Sequence, residues 1–167
     1  MYAVRCGPSV AAMTETLETT RRINLNRTSP EVYEAMVALD AAASKDLDPT
    51  LAELIKIRAS QLNHCAFCLD MHARDARKLG ETEQRIYLLS AWEEAGDLYT
   101  EQEQAALALT EEITDLPHGA HVSDAGYARA AAAFTERELG QVISMALTIN
   151  AWNRIGVATR LHPPRRQ

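Results

Sequence analysis

Residues 48–80 read DPTLAELIKIRASQLNHCAFCLDMHARDARKLG. Asp48 followed by Pro49 is a helix start: an acceptor side chain at the cap, then a ring that lacks the N–H a first helical turn cannot use. Leu51 to Leu62 continue without a turn former. Gly80 can end a second helix that begins near Cys65, because glycine accepts the left-handed C-terminal cap.

Working outward, the same punctuation recurs. Ser29-Pro30 precedes Glu31, Val32, Tyr33, Met36, Val37 and Leu39. Thr82 can cap a run through Ile86, Leu89 and Trp92. Thr100 with Glu103, and Thr135 with Glu138, have capping-box spacing. They open helices over Ala105–Ile113 and through Leu139, Ile143 and Leu147. Pro117 and Gly119 break the chain between them, and Ser123 can cap a segment to Phe134. No strand alternation competes with this pattern, and the many alanines, leucines and glutamates favour helix. The expectation is an all-α, compact helical bundle of about six or seven helices joined by short loops. Residues 1–22 carry no clear pattern and read as an N-terminal extension, 23–160 as the helical domain, and 161–167 as a short, basic, solvated tail.

The chain has 167 residues, 47% hydrophobic and 24% charged, enough for one domain with a real core. A net charge of −6 argues against nucleic-acid or anionic-membrane binding. No apolar run approaches a membrane span. The first twenty residues contain Arg5, Glu15 and Glu18 and do not read as a signal peptide. A cytoplasmic, reducing location is therefore expected. The three cysteines there are not a disulfide scaffold. A close CxxC pair in that setting reads as catalytic or metal-binding.

On a helix at 3.6 residues per turn, Cys65, Cys68, Leu69, His72, Ala76 and Leu79 share one stripe. Asp70, Arg74, Arg77 and Lys78 face away from it. Residues three apart on a helix lie within disulfide range, so the pair can open and close without large backbone movement. At a helix start, unpaired amides and the dipole favour thiolate, most of all at Cys65. His72, one turn after Cys68, can act as a base or proton relay. Redox chemistry explains this stripe best. The alternatives are a metal site and simple packing. The metal reading has three aligned ligands, Cys65, Cys68 and His72, with His64 at the boundary and no second CxxC to complete a zinc site. His118 and His121 form an HxxH in the Pro/Gly break, which reads as loop polarity. Asn150 and Asn153 share a face with Leu139, Val142, Ile143 and Ala146 and need hydrogen-bond partners if buried. Structural support is the simpler role for them. Trp92 and Trp152 read as core or interface anchors.

The stretch from Glu53 to His72 resembles the AhpD-like alkylhydroperoxidase family, within the wider carboxymuconolactone decarboxylase superfamily. The shared pattern is a glutamate, eleven residues, CxxC, three residues and a histidine. It extends with less specificity over roughly 22–160, including Gly80–Arg85 and Ile149–Arg154. The resemblance implies an all-helical homotrimer or homohexamer and a thiol-dependent peroxidase. It implies Cys68 as the cysteine that attacks a small peroxide, Cys65 as the resolving cysteine, and Glu53 with His72 as a proton relay. A dithiol reductant protein, such as a lipoyl-bearing one, is the implied partner, with no metal or organic cofactor. Other readings are a general disulfide oxidoreductase or redox sensor, a decarboxylase of the superfamily's other branch, and a metal-binding scaffold. One position departs: Phe67 stands where well-studied members carry a histidine, unless His64 substitutes for it. Glu53 itself has two readings from its helix. It is a solvated partner of Lys56, or it is buried in a helix covered on both faces, as Ile57 hints, and needs His72.

Overall fold

The computed structural model describes residues 22–116 and 121–166, and side-chain caps set most of its helix boundaries. Asn24 accepts from the Arg27 amide and starts the short α1 (Leu25–Thr28). Pro30 opens α2 (Pro30–Ser44) as expected, although the Ser29 side chain makes no cap bond. Asp48 accepts from Leu51 N at 2.9 Å and starts α3 (Pro49–Leu62). The helix α4 (Ala66–Lys78) follows after a tight turn. Thr82 caps α5 (Glu83–Leu88). Thr100 and Glu103 form a reciprocal capping box at α6 (Glu101–Asp115). Ser123 caps α7 (Asp124–Ala133). Thr135 and Glu138 form a second capping box at α8 (Glu136–Thr159). Six of these helices have ten residues or more, and no strand occurs among the described residues. The all-α reading holds.

One expected helix is shorter than its pattern. The run from Thr82 to Trp92 breaks after Leu88 into a 3₁₀ segment, Leu89–Glu94, kinked at Ala91 (φ −127°, ψ 35°). Leu89 and Trp92, three residues apart and so on one face, both enter the core from this segment. Residues 1–21 and the Pro117–Gly119 break, with His118, lie outside the described residues.

The helix α3 is the axis of the fold. It packs against α4, α6 and α8. Leu51 and Ile55 join Leu109, Phe134, Val142 and Met145 in one core. Leu54 and Ile57 join Leu89, Trp92, Tyr99 and Leu107 in another. Every residue from Leu51 to Ile57 is buried, polar ones included, so the helix has no solvated stripe over that stretch. Its mixed pattern of apolar and charged residues is explained by this all-round cover rather than by a single wet face. Among the described residues, no helix is long and apolar enough to cross a membrane.

The tail after α8 is less free than its composition suggests. Leu161 N bonds Gly156 O at 2.9 Å, and Arg166 pairs with Asp70 on α4. At the other end, Arg22 donates to Ala158 O at 2.7 Å, covering carbonyls at the end of α8.

Candidate functional site

The turn between α3 and α4 places the cysteines. His64 takes a left-handed φ of 54° and points to solvent, and Cys65 N returns to Ser60 O at 3.0 Å. Cys65 therefore sits at the N-cap of α4, just outside the helix, and its Sγ receives the Cys68 amide at 3.4 Å. Cys68 lies in the first turn. The two form a disulfide, with Cα atoms 5.4 Å apart. Both residues are buried.

One turn further, His72 is buried and its Nδ1 lies 2.9 Å from Glu53 Oε2. The other carboxylate oxygen, Oε1, receives Lys56 Nζ at 3.1 Å. Glu53 and Lys56 are each 8% exposed, so the solvated-pair reading of Glu53 gives way to the covered-helix one. Burial pushes the Glu53 carboxyl up. The hydrogen bond and charge of His72, with those of Lys56, outweigh burial and hold it below the ordinary carboxylate value. An ionised Glu53 accepts from Nδ1–H, which leaves Nε2 of a neutral ring as the acceptor.

A cavity of about 380 Å³ opens beside these groups. Cys68 and His72 border it, and Cys65 does not. Its walls are mainly apolar: Tyr33 from α2, Phe67 and Met71 from α4, Trp152 and Ile155 from α8. Trp152 meets Tyr33 edge-on, with ring centroids 5.2 Å apart, so it is a wall of this cavity rather than a core anchor. Trp92 is the core residue of the two. It is buried, and its indole N–H donates to Glu111 at 2.6 Å. His64 is not among the cavity residues, so it does not stand in for a histidine at Phe67.

The helix α8 braces the site from behind. A Cβ on Gly156 would lie 2.9 Å from Cys65 Sγ and 3.6 Å from Cys68 Sγ, so only glycine lets α8 approach the disulfide this closely. Asn63, at the end of α3, donates to Asn150 Oδ1 at 2.9 Å and Asn153 Oδ1 at 3.1 Å. Asn153 in turn donates to Ser60 at 2.9 Å, and Asn150 to Thr114 at 2.9 Å. The two asparagines are the structural support expected of them, and their load is the turn that carries Cys65.

The structure thus brings together Cys65, Cys68, His72 and Glu53. Sequence reasoning missed Lys56, Gly156 and Asn63 as members of the surroundings. Two of these left a trace: Lys56 lies between Ile55 and Ile57, and Gly156 interrupts a long helical run. Among the described residues, no group of three or more His, Cys, Asp or Glu side chains is arranged to hold a metal ion.

Comparison with known proteins bears on the family and the fold. The family described as "carboxymuconolactone decarboxylase family" matches residues 30–112. The uncharacterised protein YdfG of Bacillus subtilis (strain 168) is 43% identical over 139 residues, 83% of this chain and 93% of that protein. A crystal structure from Agrobacterium tumefaciens, of a protein of unknown function proposed to be the antioxidant defence protein AhpD, superposes with a TM-score of 0.82. It has 38% identity and covers 88% of this chain and 100% of that one. The debrominase Bmp8, solved with 2,3,4-tribromopyrrole, shares the fold at a TM-score of 0.72 and 18% identity, over 81% of this chain and 72% of its own. The chain belongs to the carboxymuconolactone decarboxylase family, with an AhpD-like relative among the structures it matches.

Proposed function

We propose that this protein is a thiol-dependent peroxidase that reduces organic hydroperoxides through a Cys65–Cys68 dithiol–disulfide cycle. The observation that carries the reading is the position of Cys68: it is one partner of a disulfide and also lines a largely apolar cavity shared with His72. In the reduced protein, neutral His72, oriented by Glu53, accepts the Cys68 proton directly or through water. The Cys68 thiolate attacks the distal peroxide oxygen. The O–O bond breaks, the sulfur becomes sulfenic acid, and the alkoxide takes a proton to leave as an alcohol. The Cys65 thiol then attacks the sulfenic sulfur, water leaves, and the disulfide forms. The sum is two thiols and one hydroperoxide giving one disulfide, one alcohol and one water. An external dithiol restores the pair by exchange, and a lipoyl-bearing protein suits a buried disulfide beside a cavity.

Two local arguments compete over which cysteine attacks. The Cys68 amide directed at Cys65 Sγ favours a Cys65 thiolate. Access favours Cys68, the cysteine that lines the cavity. We follow access, since a nucleophile must reach the peroxide. A trimeric or hexameric assembly belongs to the same proposal. Val32, Val37 and Leu39 of α2 and Leu147 of α8 are exposed apolar residues that subunit contacts would cover.

A second reading has one observation in its favour. Phe67 puts a ring without a proton where the resembling family has a histidine, which suits disulfide exchange with little peroxide turnover. One experiment separates the two. Reduced protein is mixed in stopped flow with hydrogen peroxide and with cumene hydroperoxide, and thiols are counted. The peroxidase reading expects two thiols lost per chain for each hydroperoxide consumed, faster with the organic one. Loss of thiols to disulfide substrates alone would leave the oxidoreductase reading.

A further inference from the structure

We propose that Lys56 is a positioning residue for this site: its buried ammonium shares the Glu53 carboxylate with His72 and thereby offsets the negative charge that the carboxylate presents to the imidazole serving as proton acceptor. The inference rests on the reading of His72 as the proton acceptor for the dithiol.

Glu53 divides its oxygens between two donors. Oε1 takes Lys56 Nζ at 3.1 Å and Oε2 takes His72 Nδ1 at 2.9 Å. The Glu53 and Lys56 side chains are each one-tenth exposed. A solvated i,i+3 pair on a helix would be unremarkable. A buried one is not, because desolvating an ammonium opposes folding and only its pairing with the buried carboxylate offsets that cost. A role in the charge balance explains why a lysine stands there. A lone buried carboxylate against an imidazole draws a proton onto the ring, and an imidazolium cannot act as a base. A cation on the far oxygen offsets part of that pull while leaving the orienting hydrogen bond intact.

The other groups around His72 do not supply this cation. On α4, Asp75 acts on the ring through its charge but is engaged by Lys78 at 2.6 Å. Asp40 of α2 borders the cavity and adds negative charge. The parts of α1 and α8 that line the cavity contribute no charged side chain. Lys56 is therefore the cation placed to act on Glu53 from α3 itself.

The test uses the full-length reduced protein and follows the His72 ring by NMR from pH 4 to 9, in wild type, K56M, K56Q and K56R. In K56M the Glu53–His72 pair should retain a proton to higher pH, by about one pH unit. The acid limb of hydroperoxide-driven thiol loss should move with it. K56Q should shift in the same direction and serves if methionine is not accommodated. K56R keeps the charge and should stay close to wild type. Folded K56M and K56Q with wild-type titration would overturn the proposal. So would K56R shifting as far as K56M, which would make shape rather than charge the cause. The NMR readout needs no peroxide, so a wild type that consumes none sinks the peroxidase reading and leaves the Lys56 result legible on its own.

Discussion

His72 Nδ1 and Glu53 Oε2 stand 2.9 Å apart, although nineteen residues separate them in the chain. The bond joins the second turn of α4 to the first turns of α3 and is buried. A buried carboxylate without a partner would be expensive, so the two helices are held in one register by chemistry as well as by packing. His72→Ala should slow peroxide-driven thiol loss on the order of 10²-fold or more, as loss of a general base does. Glu53→Gln keeps an acceptor but not the charge and should cost less. Stopped-flow thiol counting at neutral pH ranks the three proteins, and equal rates for wild type and H72A would remove histidine from the mechanism.

The same carboxylate sets an acid limit to stability. Its folded pKa is depressed below the ordinary value of 4.5. Ionised Glu53 therefore stabilises the fold above about that pH, and the contribution is lost as pH falls through the lower folded value. Thermal melts from pH 7 to pH 3 should show wild type losing stability at the acid end. Glu53→Gln should begin lower at pH 7 and fall less steeply. Parallel curves would mean that the Glu53 charge does not contribute.

The division of labour between the cysteines is open to direct trapping. Cys65→Ser should still react once with hydroperoxide and accumulate a sulfenic acid on Cys68, detectable by dimedone labelling and mass spectrometry. Cys68→Ser should form none. A Cys68→Ser protein that labels on Cys65 would reverse the assignment and make the amide directed at Cys65 Sγ the deciding feature.

Gly156 gives a stability test with an unusual sign. Within an exposed helix, glycine to alanine gains up to about 1 kcal/mol. Here the added methyl would sit 2.9 Å from Cys65 Sγ. Gly156→Ala should therefore lower the melting temperature of the oxidised protein despite the better helix former. Gly156→Val should lower it further. An oxidised G156A that melts higher than wild type would mean that α8 shifts freely away from the cysteines.

The fold was legible because its helices announce their own starts. Asp48, Thr100 with Glu103, Ser123, and Thr135 with Glu138 are all used as caps where the residue types indicated. Cys68, Cys65 and His72 could be aligned from helical spacing alone. Glu53 could not, since its own helix offered a nearby lysine and no sign of which neighbour would cover it. The motif resemblance supplied it. Lys56, Gly156 and Asn63 acquire their roles only when α8 closes over the end of α3 and α4 packs on its flank. That information lies in tertiary packing, which periodicity does not carry. Phe67 is the reverse case: its absence of a proton was visible in the sequence, and its place on the cavity wall was not.

The asparagine brace should behave as a unit. Asn153→Ala removes two hydrogen bonds, the one Asn63 donates to it and the one it donates to Ser60, while Asn63 keeps Ala59 O and Asn150 and Ser60 keeps Lys56 O. A loss of about 1–3 kcal/mol is expected in urea unfolding. Asn63→Ala should cost a similar amount, and the double variant should cost less than the sum, because both changes break the same bond. Full additivity would show that the two asparagines act independently, with the Cys65 turn held by other contacts.

Phe67→His tests the one departure from the resembling motif. Phe67 borders the cavity next to Cys68, so an imidazole there would be solvated by the substrate space rather than buried without a partner. If proton supply to the departing alkoxide limits the native protein, Phe67→His should raise kcat for organic hydroperoxides, on the order of tenfold or more, with KM raised by loss of the apolar wall. The gain should fall off above the titration of the new imidazole, near its ordinary value of about 6.5. A kcat unchanged or lowered, in a protein that still cycles its disulfide, would mean that His72 alone meets the proton demand. Phe67 would then serve to fit an apolar substrate against Cys68.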